Sequence, residues 1–449
     1  MLRRTCSYFA SFALLIPLFA VLLSGCASNH KAATTQPPGS GGGGGTGGGG
    51  GGTGGGGGTG GGGGTGGGGG TGSGGGSGSG SATSAEYLYM VAEQQQGSVY
   101  EFQINPSTGA LTQISGSPFK ADVGNPSYVC TVGCGAYLLA DPLGRFLFYQ
   151  FTYASPSNGV DSLNVSATDG TLSSNSQIVQ GVYEPSVDPQ GRFIYWNSST
   201  SNSNAVGAMD IASSGKLTTA PGQPYPYNGQ TSYGAPSASS SYVFATNYRD
   251  TASASGQGAL IEWAIDPATG TLTQTSNTLP LTYPGVTAIT PNGKFLYTYQ
   301  QYLSNGTTGT VYNEIVPVQV GANGALTELT QNIQQTTSQG ADMIWMSPNG
   351  NFLYMGINGS DLWDYQIDQS TGALTLVQKY TGINEGDTLA IDPAVKYVYT
   401  NPSDANHVAG TAIAVYSVNP TTGALTPLPN DTLDTKVIPI SLAIVAPPH

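Results

Sequence analysis

The chain has 449 residues, of which 68 are glycine and only 8% are charged, and its formal net charge is -13. That balance excludes nucleic acid as a natural partner, because phosphate backbones are held by clustered lysine and arginine and no basic run occurs. Length overstates the core as well, since most of the glycine lies in one block, Gly39 to Gly80, with almost no apolar surface to offset the entropy of ordering.

Residues 1–25 read as an export signal: Arg3 and Arg4 precede an apolar run from Phe9 to Leu23, followed by Leu23-Ser24-Gly25-Cys26. The run is short of the roughly 20 apolar residues a membrane span needs. The tetrapeptide resembles the lipobox of bacterial lipoproteins. That resemblance implies cleavage before Cys26, acylation of Cys26 with a lipid such as palmitate, and, because Ala27 follows, an outer-membrane destination facing the periplasm or the exterior. The alternative is an uncleaved signal anchor. Residues 26–86 then form a Gly-rich tether, whose roughly 60 residues would hold a domain about 40 Å from the lipid.

From Tyr87 onward the sequence repeats. A Gly-x-Leu-Thr/Ser signature recurs seven times, with its leucines at Leu111, Leu172, Leu217, Leu272, Leu326, Leu374 and Leu425, spaced by 61, 45, 55, 54, 48 and 51 residues. Each unit has room for four strands and their turns. An alternating strand precedes each signature, such as Tyr100/Phe102/Ile104 or Ile261/Trp263/Ile265, and turns such as Asn105-Pro106-Ser107-Thr108-Gly109 join the two. A second hairpin lies upstream, with Asp141-Pro142, Asp188-Pro189 and Asp392-Pro393 opening turns that lead into apolar runs such as Phe295-Leu296-Tyr297. The first unit lacks an innermost strand and Ile440–Val445 is an orphan after the last. The reading is all-β: a seven-bladed β-propeller over residues 87–449, four strands per blade, its ring closed by the C-terminal strand in blade 1.

These repeats resemble the lactonase-type seven-bladed propellers, the superfamily of bacterial 6-phosphogluconolactonase and the YVTN-repeat proteins. The resemblance covers nearly all of Tyr87–Val445 and implies the fold; one fold hosts many activities. Sugar-phosphate lactonases of that family carry His and Arg before innermost strands, where this sequence has Tyr183-Glu184 and Gly285-Val286-Thr287.

Candidate function concentrates on the face that carries the longer, variable loops. Asn247, Arg249 and Gln300 lie in those loops, and Tyr183, Tyr233 and Tyr283 recur just before innermost strands. Together they offer stacking and hydrogen bonding to a neutral glycan, peptide or protein ligand, unless the tyrosines simply pack between blades. Asp342 and Asp387 share a register in blades 6 and 7. With Glu184 they make a carboxylate group suited to Ca²⁺ or to acid/base chemistry, or else three solvated acids. His30, His407 and His449 are the only histidines, so neither a nucleophile triad nor a His-rich metal site has its material. Cys130 and Cys134 read as a local disulfide of an exported protein. The expectation is a lipid-anchored ligand-binding or protein-interaction module that needs no cofactor, with a lactonase-like hydrolase, for which Ca²⁺ is the candidate cofactor, as the alternative and a passive envelope component as the third class.

Overall fold

The computed structural model describes residues 85–448 apart from 94–96, 122–135, 152–157, 201–202, 228–229, 232–234, 249–256, 304–310, 337–340, 358–360, 384–387 and 404–408. The described residues form seven antiparallel sheets in a ring, and their only helical segments are the single turns Thr330–Asn332 and Pro429–Asp431. Blade 2 shows the plan, running from the axis outward as Ala136–Ala140, Phe146–Phe151, Gly159–Val165 and Leu172–Gln180. Innermost strands touch their counterparts in the next blade, Pro439–Val445 against Ala136–Ala140 and Pro284–Ile289 against Ala341–Met346, and so line the axis. Closure follows the expectation: Tyr87 pairs with Val445, Leu88 with Ile444 and Tyr89 with Ala443, so the last strand completes the first blade.

The signature glycine is explained at the seams between blades. Gly170 has φ +73°, and a Cβ there would lie 2.3 Å from the ring of Tyr87 in the preceding blade. Gly109 stands the same way against Tyr397, which belongs to the last blade. Two residues beyond that ring on the second strand, a tyrosine hydroxyl donates to the glycine carbonyl: Tyr89 to Gly170 at 2.7 Å, Tyr297 to Gly372 and Tyr354 to Gly423 at 3.0 Å, and Tyr399 to Gly109 at 2.9 Å. The last of these bonds spans the closing seam. Ring on glycine with hydroxyl on carbonyl is thus the unit of adhesion at four seams, and it requires both residue types at fixed spacing.

The lower turns repeat as regularly. Asp188 Oδ1 accepts the amides of Arg192 and Phe193, and Asp392 Oδ1 those of Lys396 and Tyr397. Thr290 and Ser347 use a hydroxyl for the same purpose on Phe295 and Phe352. Arg145 and Arg192 also reach into the next blade, to the carbonyls of Gly191 and Ser240. The Asp-Pro aspartates are therefore turn-formers, as their position at the start of a turn implies.

Two features depart from the sequence pattern. Third strands alternate in sequence but are buried on both faces: Ser98–Ile104 is buried at every residue except Gln103. The acid of the alternation, Glu101, faces the neighbouring blade, and only Gln103 reaches water. Outer strands also differ between odd and even blades. In blades 2, 4 and 6 they are long and carry a bulge, as in Leu272–Thr282, whereas in blades 1, 3, 5 and 7 they are two short pieces, as in Leu111–Gln113 with Phe119–Lys120.

Candidate functional site

Each chain segment entering an innermost strand does so on the upper face, beside the turns between second and third strands. Two of these entries use a proline preceded by a residue in left-handed conformation: Glu184 (φ 47°) before Pro185, and Tyr283 (φ 42°) before Pro284. A bulky residue in this region carries backbone strain, and such positions cluster where geometry serves function. The innermost strands are also irregular here, with register shifts between Pro284 and Thr287 and between Ala341 and Met343. Bulges of this kind re-aim side chains at the mouths of barrels and rings.

Blade 5 braces the corner at Tyr283. Gln300 accepts the Thr282 amide at 3.2 Å through Oε1 and donates through Nε2 to Glu314 at 3.0 Å. Gln301 donates its amide to the Tyr283 carbonyl and its side-chain Nε2 to Asn313, which also accepts the Tyr299 hydroxyl. Between blades 4 and 5, Thr246 donates to the Gly285 carbonyl and Ser237 shares a hydrogen bond with Thr287, both at 2.8 Å. A tier of buried polar side chains, including Gln150, Asn197, Asn247, Asn313 and Asn401, continues at this level around the ring.

Sequence-derived candidates fall unevenly on this geometry. Tyr183 and Glu184 are half-buried at the mouth, and Asp342 falls at the bulge of Ala341–Met346. The backbone equivalent of Tyr283 is Glu184, not Tyr183, because the conformation follows the residue before proline. Gln300 is a brace whose two polar atoms are both engaged within the protein, and Asn247 is only 4% exposed. Tyr233, Arg249 and Asp387 lie outside the described residues, as do Cys26, Cys130, Cys134, the export signal and the tether up to residue 84. Among the described residues no three His, Cys, Asp or Glu side chains are grouped to hold a metal ion. The sequence reading opens Asn247 and the loops that begin at Gln150, Asn197 and Asn401 to a ligand, whereas the structure buries these four side chains in the polar tier.

Among the described residues, charge on the innermost strands is sparse. The innermost strands, from Ala136–Ala140 around to Pro439–Val445, contain no Lys, Arg or His, and Asp342 is their one acid. Below the mouth they present half-buried Leu139, Val187, Ile289, Trp345 and Ile391. Two clefts, of about 550 Å³ beside Gln177 and Lys216 and about 410 Å³ beside Leu329 and Asn332, open between blades away from these residues and show no pairing of acid and base.

The family model described as Lactonase, 7-bladed beta-propeller, matches residues 313–438, from the third strand of blade 5 to the outer strand of blade 7. Among solved structures, a Bacteroides uniformis protein assigned provisionally as a 6-phosphogluconolactonase is 18% identical, with a TM-score of 0.59 over 81% of this chain and 100% of its own. The periplasmic gluconolactonase of Pseudomonas aeruginosa is 16% identical, with a TM-score of 0.59 over 81% of this chain and 99% of its own. At these identities the likeness is one of fold. No curated protein sequence matches the chain. Seven sheets in a ring and a terminal strand that closes blade 1 make this chain a seven-bladed β-propeller, whose blades 5 to 7 match the lactonase family model.

Proposed function

We propose that the chain is a lipid-anchored propeller of the bacterial envelope, held through Cys26 at the outer membrane, that captures a neutral polar ligand at the upper mouth of its ring. A glycan or a peptide has the required chemistry. The observation that carries this reading is the charge of the axis: no cation on any innermost strand and one acid, Asp342. A sugar phosphate would meet no counter-charge on those strands, and an alkoxide formed by lactone opening would meet no cationic stabiliser there. Half-buried Tyr183 and the braced Tyr283 provide flat apolar surface with a polar tip, which suits stacking on a sugar or a peptide.

Lactone hydrolysis is the second reading. Its support is the family match over residues 313–438, which contain Asp342 and Asp387, and the fold shared with the Pseudomonas aeruginosa enzyme. In that case the two aspartates, with Glu184, would serve as bases or Ca²⁺ ligands. One experiment separates the readings. The purified full chain is offered a glycan array, a peptide library and a panel of sugar lactones, with and without Ca²⁺. Capture lost in Tyr283→Ala and Tyr183→Ala but kept in Asp342→Asn supports binding; lactone turnover abolished by Asp342→Asn or Asp387→Asn overturns it.

A further inference from the structure

Asp364, in the third strand of blade 6, is fully buried, and neither of its carboxyl oxygens has a hydrogen-bond partner. Blades 1 and 4 place an acid at the same point, three residues before the end of the third strand, and there it is held. Glu101 Oε1 accepts the Leu172 amide at 2.8 Å, across the seam into blade 2. Glu262 Oε1 accepts from Thr275 and Asn277 of its own outer strand, both at 3.0 Å. Blade 6 has lost both arrangements. Aspartate is one methylene shorter, and the amide of Leu425, counterpart of Leu172, donates to the Tyr380 hydroxyl at 2.6 Å. Val377 stands three residues after the signature leucine, where blade 4 has Thr275, and Lys379 is drawn over the ring of Trp363 on the opposite face of the sheet.

The carboxyl points at the seam. A Cβ on Gly423 of blade 7 would lie 3.1 Å from Asp364 Oδ1, and the Gly423 carbonyl already accepts the Tyr354 hydroxyl. The titratable groups bearing on the site are Tyr354 of the second strand, Tyr380 of the outer strand and, beyond it, Tyr416 of blade 7. Burial raises all three further above neutrality, so none supplies a charge.

We propose that the seam between blades 6 and 7 is a pH-sensitive joint, tight while Asp364 is protonated and loosened when it ionises against the Gly423 turn. Burial alone pushes the Asp364 carboxyl up from 3.8 to about 7. Because the folded state binds this proton more tightly than the unfolded chain, the stabilisation is fully present below the unfolded value and is lost as pH rises through about 7. An ionised, unpartnered carboxylate is costly in a dry seam, and the cheapest relief is to admit water between the blades.

Hydrogen exchange on the full chain tests this. Protection factors in Ala412–Val418 and Leu425–Pro427 should fall about tenfold more between about pH 6 and about pH 8 than those of Ser203–Ile211 in blade 3. Asp364→Asn should erase that difference. Val377→Thr, which keeps the shape and restores the hydroxyl used in blade 4, should shrink it, and it keeps the test open should Asp364→Asn fold poorly. The infrared difference between wild type and Asp364→Asn should show one buried protonated carboxylic acid band at the lower pH that vanishes at the higher. An equal fall in every blade, a difference that survives in both variants, or the absence of such a band overturns the proposal.

Discussion

The lower and upper faces of this ring are built from the same seven repeats, yet the lower face is nearly periodic and the upper is not. Below, every blade carries a glycine in left-handed conformation, and the turns between first and second strands are capped by Asp, Ser or Thr. Above, the described entries to innermost strands follow no single plan: Glu184 and Tyr283 are strained before a proline, Asp342 sits at a bulge, and blade 5 has its own polar brace. Repetition marks what adhesion between blades demands of every unit. Its absence marks the surface released from that demand, where the mouth can be shaped for a ligand.

The comparison predicts that damage below is structural and damage above is not. Removing Pro439–Val445 should have the largest effect, because Tyr87–Ala92 loses its inner partner and two sheet edges are exposed. Loss of the cooperative melting transition, or aggregation, is the expected result, and a truncated chain that melts as the full chain does would break the account of closure. Gly170→Val comes next. The new Cβ would collide with the Tyr87 ring and a β-branched residue would be forced to φ +73°, at a cost of roughly 3 kcal/mol or more in denaturant unfolding.

A smaller effect separates two tyrosines of the same repeat position. Tyr399 donates to the Gly109 carbonyl across the closing seam, whereas the buried hydroxyl of Tyr195 has no partner. Tyr399→Phe should therefore cost about 1–2 kcal/mol and Tyr195→Phe nothing, or should stabilise. Equal effects would mean that the hydroxyl bond is incidental to the seam.

Sequence periodicity revealed the blade count and the strand that closes the ring because glycine, aromatic and turn residues recur wherever the seam needs them. Alternation by itself does not place Glu101, Glu262 and Asp364, which lie buried in the seams because a blade is covered on both sides. The mouth was less legible still. Tyr183 and Tyr283 look equivalent by residue type, but the backbone aligns Tyr283 with Glu184, and only the proline that follows each of them signals it. Gln300 belongs to the mouth, yet its polar atoms turn inward onto Thr282 and Glu314, a direction no sequence pattern specifies.

The smallest stability effect is the most informative about the upper face. Tyr283 holds φ 42°, a conformation that costs a bulky residue on the order of 1–3 kcal/mol and glycine almost nothing. Tyr283→Gly relieves that strain while giving up the packing of a half-buried ring and some chain entropy, so the terms oppose one another and net stability should change by less than about 1 kcal/mol. Ligand capture should be lost all the same, since the ring that would stack is gone, and Tyr283→Phe should retain most of it. Glycine would then be harmless to the fold at the one place and essential at Gly170, although both residues have positive φ. If Tyr283→Gly instead unfolds as readily as Gly170→Val, Tyr283 is part of the adhesion between blades 4 and 5, and its strain is the cost of packing rather than of a shaped mouth.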